Sequence, residues 1–255
     1  MVDAIRKFGL THEMIPANIT RTEKVWEALF EKMPVGATIR NLGNLTDKGV
    51  FKNNRYLDML EQRFSKETLK KAYTHPVVLA SALKVYEAGG NLGQSKLRWT
   101  AVPRVEDILT QAIEDSFEIL EPTGKTFFYA LDVSGSMTGG NVGNLWLTPI
   151  EIEGVMALAS IKSEKNYFVG GFNTQFEPIA SLRKSTSFKN ATKFYNGSFG
   201  GTDASSAYTY AIKNSVQADV FVFFTDSESW AGRTHTSQAL TDYRKKFNPN
   251  AKAIY

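Results

Sequence analysis

The chain has 255 residues, 42% of them hydrophobic and 22% charged, with 30 Lys and Arg against 26 Asp and Glu for a formal net charge of +4. That apolar content offsets the entropy of ordering and excludes a disordered or low-complexity chain, and the length gives room for two ordinary domains or one large one. The absence of cysteine excludes disulfides, zinc–thiolate sites and a cysteine nucleophile, and the opening MVDAIRKFGL lacks the apolar stretch of a signal peptide, so a reducing, cytoplasmic setting is expected.

The first part reads as helix after helix. Thr20-Arg21-Thr22-Glu23 has the form of a capping box, after which Val25, Trp26, Leu29, Phe30 and Met33 recur at helical spacing. Further helices are expected near 34–45, 53–64, 66–73 and 76–88, the last opened by Pro76 in its first turn and closed by Gly89-Gly90. Pro103 opens another, with Val105, Ile108, Leu109, Ala112, Ile113, Phe117 and Leu120 as its buried face and Glu106, Asp107, Glu114, Asp115 and Glu118 facing out. Short helices in succession without strands suggest stacked hairpins of the solenoid kind, although no strict repeat period is present.

After Glu121-Pro122-Thr123-Gly124 the pattern changes. Thr126-Phe127-Phe128-Tyr129-Ala130-Leu131 is an apolar run of strand length bounded by turn residues. The uncharged stretch from Val133 to Ile150 carries Gly135, Gly139, Gly140, Gly143 and Pro149, which makes it a loop and helix start and not a membrane span. Thr148-Pro149-Ile150-Glu151 is a second capping box, starting a helix to about Lys162. A strand from Asn166 to Phe172, a helix from about Asp203 to Ser215, a strand from Asp219 to Phe224, a helix from about Thr236 to Lys246 and a strand beginning at Ala251 follow. Alternating strands and helices mean a doubly wound, mostly parallel sheet, so the fold class is α + α/β, with helices over 1–121 and the sheet over 122–255. The sequence stops at Tyr255 inside the last apolar run, which suggests a fragment with an incomplete sheet edge.

Three polar clusters lie beside these elements: Asp132-Val133-Ser134-Gly135-Ser136, Gly200-Gly201-Thr202-Asp203 and Thr225-Asp226-Ser227-Glu228. In a doubly wound sheet, ligands bind outside the carboxyl ends of the strands. A set made of hydroxyls and carboxylates, with no His or Cys beside it, suits a hard cation such as Mg²⁺ or Mn²⁺. With 10 Asp and 18 Ser, a D-x-S-x-S pattern arises by chance roughly 0.05 times in this chain, so its placement behind a buried strand carries information. Taken singly, Ser134 and Ser136 read as turn formers, and Thr202-Asp203 as a cap for the following helix. His12, His75 and His235 are too scattered to build a triad with Ser134, and hydrolase chemistry is not expected.

Asp132-x-Ser134-x-Ser136, Thr202 and Asp226, in this order, resemble the metal-ion-dependent adhesion site of von Willebrand factor A domains. The resemblance implies that the two Ser and the Thr contact the metal while the Asp residues hold it directly or through water. The helical part is similar to the Ro 60 kDa (TROVE-module) RNA-binding proteins through Met33-Pro34, Arg40-Asn41-Leu42-Gly43, Leu97-Arg98-Trp99 and Glu121-Pro122-Thr123-Gly124-Lys125. Ala218-Asp219-Val220-Phe221, Phe224-Thr225-Asp226, Tyr243-Arg244-Lys245-Lys246 and Ala251-Lys252 extend the likeness over nearly the whole chain. What it implies is a non-enzymatic scaffold: a ring of HEAT-like helices closed by the A domain. Such a ring binds small structured non-coding RNA (Y RNA) on its outer basic surface and takes single-stranded ends of misfolded RNA in its hole, as suits RNA quality control. Family members carry more helices before this chain begins and finish the A domain after it ends, which implies truncation at both ends.

Charge is uneven along the chain, at +7 over residues 1–104, −6 over 105–121 and +3 over 122–255. Basic residues spread over a hundred positions are in themselves a solvated face; with the resemblance they imply RNA contacts, for which Arg40, Lys70, Lys71, Lys84, Lys96 and Arg98 are the candidates. Lys70-Lys71 precedes the His75-Pro76 turn, from which side chains can reach phosphates. Trp26 belongs to the apolar face of its helix, whereas Trp146 and Trp230 follow the polar loops and are candidates for a ligand-facing rim. Two other functions remain open. One is a protein-interaction module whose metal takes a partner's carboxylate without RNA. The other is a metal-dependent phosphodiesterase on Asp132 and Asp226, against which the hydroxyl-rich set and the lack of an adjacent base both argue.

Overall fold

A computed structural model of the chain describes residues 1–16, 18–19, 22–92, 96–197, 200–226, 232 and 234–255. They form two compact units, Met1–Ile119 and Leu120–Tyr255. Among the described residues no helix is long and apolar enough to cross a membrane.

The first unit is helical: α1 (Val2–Phe8), α2 (Glu23–Glu31), α3 (Val35–Asp47), α4 (Asn54–Arg63), α5 (Lys66–Lys71), α6 (Pro76–Glu87) and α7 (Pro103–Phe117), with short 3-10 turns at His12–Met14 and Val50–Lys52. α2 starts at Glu23 behind Thr22, whose side chain makes no capping hydrogen bond. Glu23 is thus the first helical residue and cannot serve as the third one in a box headed by Thr20; Thr20 and Arg21 lie outside the described residues. Two other starts are capped by side chains: Asn53 Oδ1 accepts from the Arg55 amide at 3.0 Å, and His75 Nδ1 accepts from Val77 at 3.2 Å ahead of Pro76. α7 buries its apolar stripe from Val105 to Phe117 but ends there, so Leu120, expected on that stripe, stands 44% exposed.

The core of this unit contains Phe30, Leu45, Leu60, Leu69, Leu79, Ile113 and Phe117, all fully buried, with Trp26 among the buried aromatics. Phe30 meets Phe51 and Tyr56 edge-on, and the Arg63 guanidinium lies over its ring at 4.3 Å while donating to the Glu31 carbonyl at 3.3 Å. Burial lowers the Arg63 pKa. The segment joining α6 to α7 is fixed by Tyr86 and Trp99. The Tyr86 hydroxyl accepts from the Val102 amide at 3.2 Å and pairs with Thr46 Oγ1 at 2.8 Å, and Trp99 Nε1 donates to the Tyr86 carbonyl at 3.0 Å. Trp99 lies so close to α3 that a Cβ on Gly43 would come within 2.6 Å of its ring. Its side chain is therefore packing, and not a free platform for a base.

The second unit holds β1 (Thr126–Asp132), α8 (Pro149–Ser163), β2 (Asn166–Phe172), β3 (Phe176–Pro178), α9 (Phe188–Ala191), α10 (Ser205–Lys213), β4 (Val220–Phe224), α11 (Thr236–Lys246) and β5 (Lys252–Ile254). The sheet order is β3-β2-β1-β4-β5; β3 runs antiparallel to β2 and the other neighbours are parallel. The capping box at Thr148 and Glu151 is formed, with Glu151 Oε2 accepting from the Thr148 amide at 2.8 Å. Helices on opposite faces account for the continuous burial of β1 from Phe128 to Asp132. Phe128 and Ala130 pack with Phe221, Phe223, Ala207, Tyr208 and Tyr243 beneath α10 and α11, while α8 packs on β1 from the side of Tyr129 and Leu131. Phe168, Phe128 and Phe221 are register partners on three adjacent strands, with ring centroids 5.0 and 4.9 Å apart. β3, which the sequence pattern does not announce, is three residues long and ends in a proline, as suits an edge.

A Gly-to-Ala change inside an open helix gains about 1 kcal/mol. Gly43→Ala is expected instead to cost about 1–3 kcal/mol by pressing on Trp99, seen as a lower urea midpoint; a midpoint at or above the native value would refute this seating of Trp99.

Candidate metal centre and basic surface

The sheet grows from β1 to β2 on one side and resumes with β4 on the other, so the β1–β4 boundary is where strand order reverses. Crevices at such a boundary, outside the carboxyl ends of the strands, are where open α/β sheets bind ligands. Asp132 is the last residue of β1, and Asp226 lies two residues past the end of β4, the neighbouring strand.

Asp132 has no solvent exposure. Its Oδ1 accepts from the Ser134 amide at 2.9 Å and its Oδ2 from the Thr225 hydroxyl at 2.7 Å. Ser134 is buried, and its Oγ lies 3.1 Å from Oγ of the exposed Ser136, so the hydroxyl pair leads from the interior to the surface. A one-turn 3-10 helix, Gly135–Thr138, sets that pairing. The loop before α10 reaches the same place through a parallel bridge between Ser134 and Gly200; Thr202, two residues on, is buried, and the Asp203 amide donates to the Asn173 carbonyl at 2.7 Å. Asp203 itself is engaged in a turn, accepting from Ser205 N at 2.9 Å and Ser205 Oγ at 2.6 Å, and α10 begins at Ser205, two residues later than expected. Asp226 is exposed, while Ser227, Glu228 and Trp230 lie outside the described residues. Trp146 is half-buried.

One group in this cluster was not anticipated from the sequence. Glu153 on α8 is buried, its Oε1 accepts from the Asp132 amide at 2.6 Å, and its Oε2 has no hydrogen-bond partner. Burial holds this carboxyl well above the ordinary carboxylate range; the Asp132 N–H opposes that, and the charges of Asp132 and Asp226 add to it. Asp226 and Glu153 line one cavity of about 470 Å³ with Met137, Val142 and Met156. The available signal was spacing, since Glu153, Ala157 and Ile161 form an i, i+4, i+8 stripe that is buried throughout.

Among the described residues no three His, Asp or Glu side chains are placed to hold a metal ion, so a cation here would need hydroxyl donors. The oxygen-only set gathered from three loops, with its two Ser hydroxyls already 3.1 Å apart, suits a hard divalent ion in its donor chemistry.

The basic candidates do not gather in this way. Arg40 is exposed on α3 and lines a cavity of about 250 Å³ with His12 and Lys32, whereas Arg98 lines a different one, of about 610 Å³, with Lys52 and Trp99. Lys70 and Lys71 are exposed at the end of α5, Lys84 is half-buried on α6, and Lys96 is exposed in the connection to α7.

A family model described as the TROVE domain matches residues 7–123, and one described as the Ro60 vWA domain matches residues 126–255. The RNA-binding protein RO60 of Deinococcus radiodurans is 32% identical over 254 residues, covering 98% of this chain and 48% of that protein. The RNA-binding protein RO60 of Caenorhabditis elegans is 32% identical over 247 residues, covering 96% of this chain and 38% of that protein. The chain thus spans about half or less of the curated relatives it matches. The crystal structure of the Deinococcus radiodurans RO (RSR) protein superposes with a TM-score of 0.85 at 31% identity, covering 99% of this chain and 51% of that one. The vWA match alone takes in half of the sequence, and together these likenesses establish that the chain belongs to the Ro60 family.

Proposed function

We propose that this chain is part of a non-enzymatic RNA-binding scaffold. In this reading its helical unit contributes basic surface to a small structured RNA of the Y RNA type and to single-stranded ends of misfolded RNA. The observation that carries the reading is the likeness, across almost the whole chain, to two proteins named for RNA binding. The +7 balance of residues 1–104 supports it, because lysine and arginine contacts to phosphate supply sequence-independent affinity by releasing counterions.

The sheet unit, in the same reading, holds a divalent cation, Mg²⁺ or Mn²⁺, through Asp132, Ser134, Ser136, Thr202 and Asp226. When bound, the ion supplies an electrophilic position for a carboxylate or phosphate oxygen of a partner. This chain's own part is orientation. Ser134 N–H and Thr225 O–H fix the rotamer of Asp132, Glu153 holds the Asp132 backbone, and the Gly200 bridge brings the Thr202 loop to Ser134.

A second reading, a cation-dependent protein-interaction module without RNA, has one observation in its favour. Every candidate ligand lies in the sheet unit and every basic candidate in the helical unit, so the two activities are separable by residue.

Titration of a stem-loop RNA carrying a single-stranded 3′ tail at two salt concentrations should show affinity falling steeply as salt rises; salt-independent or absent binding refutes the RNA reading. For the cation, Mn²⁺ titration followed by electron paramagnetic resonance should show one bound ion. Ser136→Ala should weaken it by about tenfold or more while shifting stability by less than about 0.5 kcal/mol, because the side chain is exposed. Equal Mn²⁺ affinity in the variant removes Ser136 from the ligand set.

A further inference from the structure

The turn between α5 and α6 carries the most exposed large hydrophobic side chain among the described residues, Tyr73, at 94% exposure. It does so at a backbone cost. Tyr73 has φ +49°, one of two non-glycine residues with positive φ among the described residues, the other being Ser215. The turn closes α5 in the Schellman manner, the Thr74 amide donating to the Leu69 carbonyl at 3.1 Å and the Tyr73 amide to the Lys70 carbonyl at 3.2 Å. Glycine is the usual residue at that left-handed position because it has no Cβ to clash. This unit follows that rule after α3 and α6, where Gly49 and Gly89 hold φ of +82° and +60°. After α5 the same position carries a tyrosine, strained, with its ring in solvent and without hydrogen bond, ring contact or cation contact among the described residues. The two turn hydrogen bonds hold the backbone, but no side-chain contact of the ring among the described residues offsets the strain.

The neighbours give the chemistry. Lys70 and Lys71 form the last turn of α5, are exposed, and make no ion pair among the described residues; Glu67, one turn earlier, pairs with neither. An outward aromatic ring beside two uncommitted ammonium groups is the combination by which proteins hold single-stranded nucleic acid: a base stacks on the ring while cations meet the adjoining phosphates. Strain kept at a surface residue that contributes nothing to packing is what a functional constraint leaves behind.

We propose that Tyr73 is a stacking platform for an unpaired base of RNA, with Lys70 and Lys71 contacting the flanking phosphates. The proposal rests on the RNA-binding reading above and assigns a contact within it. It makes stability and affinity move in opposite directions. Tyr73→Gly relieves the strain and removes the ring, so the chain becomes more stable and binds less well. A simple packing role predicts the reverse for stability.

The test uses the full chain and a fluorescein-labelled single-stranded oligouridylate of about ten nucleotides, within the usual span of such sites. Tyr73→Gly is expected to raise the melting temperature by about 2–4 °C and to weaken oligouridylate binding by about tenfold, with the slope of affinity against salt unchanged. Tyr73→Phe should bind as the native chain does, and neither change should affect a blunt RNA duplex, whose bases are paired. Replacing Lys70 and Lys71 together by Gln should lower the salt slope by about 1.4. Native-like oligouridylate affinity in Tyr73→Gly overturns the proposal while leaving the RNA reading standing. Failure of the native chain to bind the oligouridylate and the stem-loop overturns both together.

Discussion

A carboxylate enclosed at the end of a central strand is costly unless its oxygens are taken up, and Asp132 has both occupied, one by the Ser134 amide and one by the Thr225 hydroxyl. Those two bonds join the loop after β1 to the end of β4. The amide of the same residue is taken by Glu153, which ties the strand to α8. The polar end of the sheet is therefore one hydrogen-bonded assembly built on Asp132, and the parallel ladder between β1 and β4 sets how far apart the two strands lie. Phe128 and Phe221, paired in register with rings 4.9 Å apart, fill the layer below the site.

The helical unit is organised by a different constraint, the close approach of backbone to an aromatic ring. Trp99 comes down on Gly43 and its amide bonds to the Gly89 carbonyl at 3.2 Å, positions at which a side chain would strike the ring or its backbone. Tyr86 completes the arrangement by bonding both Thr46 on α3 and Val102 before α7. Thus the connection between α6 and α7 is held along its described length, and Arg98 projects from a fixed backbone. The turn after α5 is the opposite case. Its backbone is fixed by two hydrogen bonds, yet its ring touches nothing, which is why Tyr73 reads as a surface feature and Trp99 does not.

Local signals in the sequence translated directly wherever they were self-contained. Thr148, Pro149 and Glu151 formed their box because every partner lies within four residues, and the Thr126 strand formed because a continuous apolar run has no other place to go. Signals that depended on a boundary slipped. The box spacing puts a helix start at Thr20 where the helix begins at Glu23, and the apolar spacing carries Leu120 on a stripe that stops at Phe117. β3 is too short to show alternation, and its pairing depends on a turn at Asn173 to Gln175. For the candidate site, Asp132, Ser134 and Ser136 were legible because a motif fixes their spacing, whereas Glu153 meets Asp132 only through the packing of α8 on β1. Tyr73 was invisible for another reason, since a left-handed position is read from glycine and here glycine is absent.

The protonation of Glu153 bears on what the candidate site can hold. Were it ionised, three carboxylates would share one small region at the strand ends, with no lysine or arginine among the described residues lining the cavity. Burial raises its pKa and so favours the neutral form, in which Oε1 accepts the Asp132 N–H without adding charge. The carboxyl groups that the proposed site offers a cation are then those of Asp132 and Asp226, and its other proposed donors are hydroxyls. A doubly charged ion would balance those two carboxylates while staying electron-poor enough to accept an acidic oxygen from outside. An ionised Glu153 would repel that incoming oxygen. In the proposed cation site, a neutral Glu153 would thus bear on the incoming oxygen as well as on the ion, from a position nearly closed to solvent.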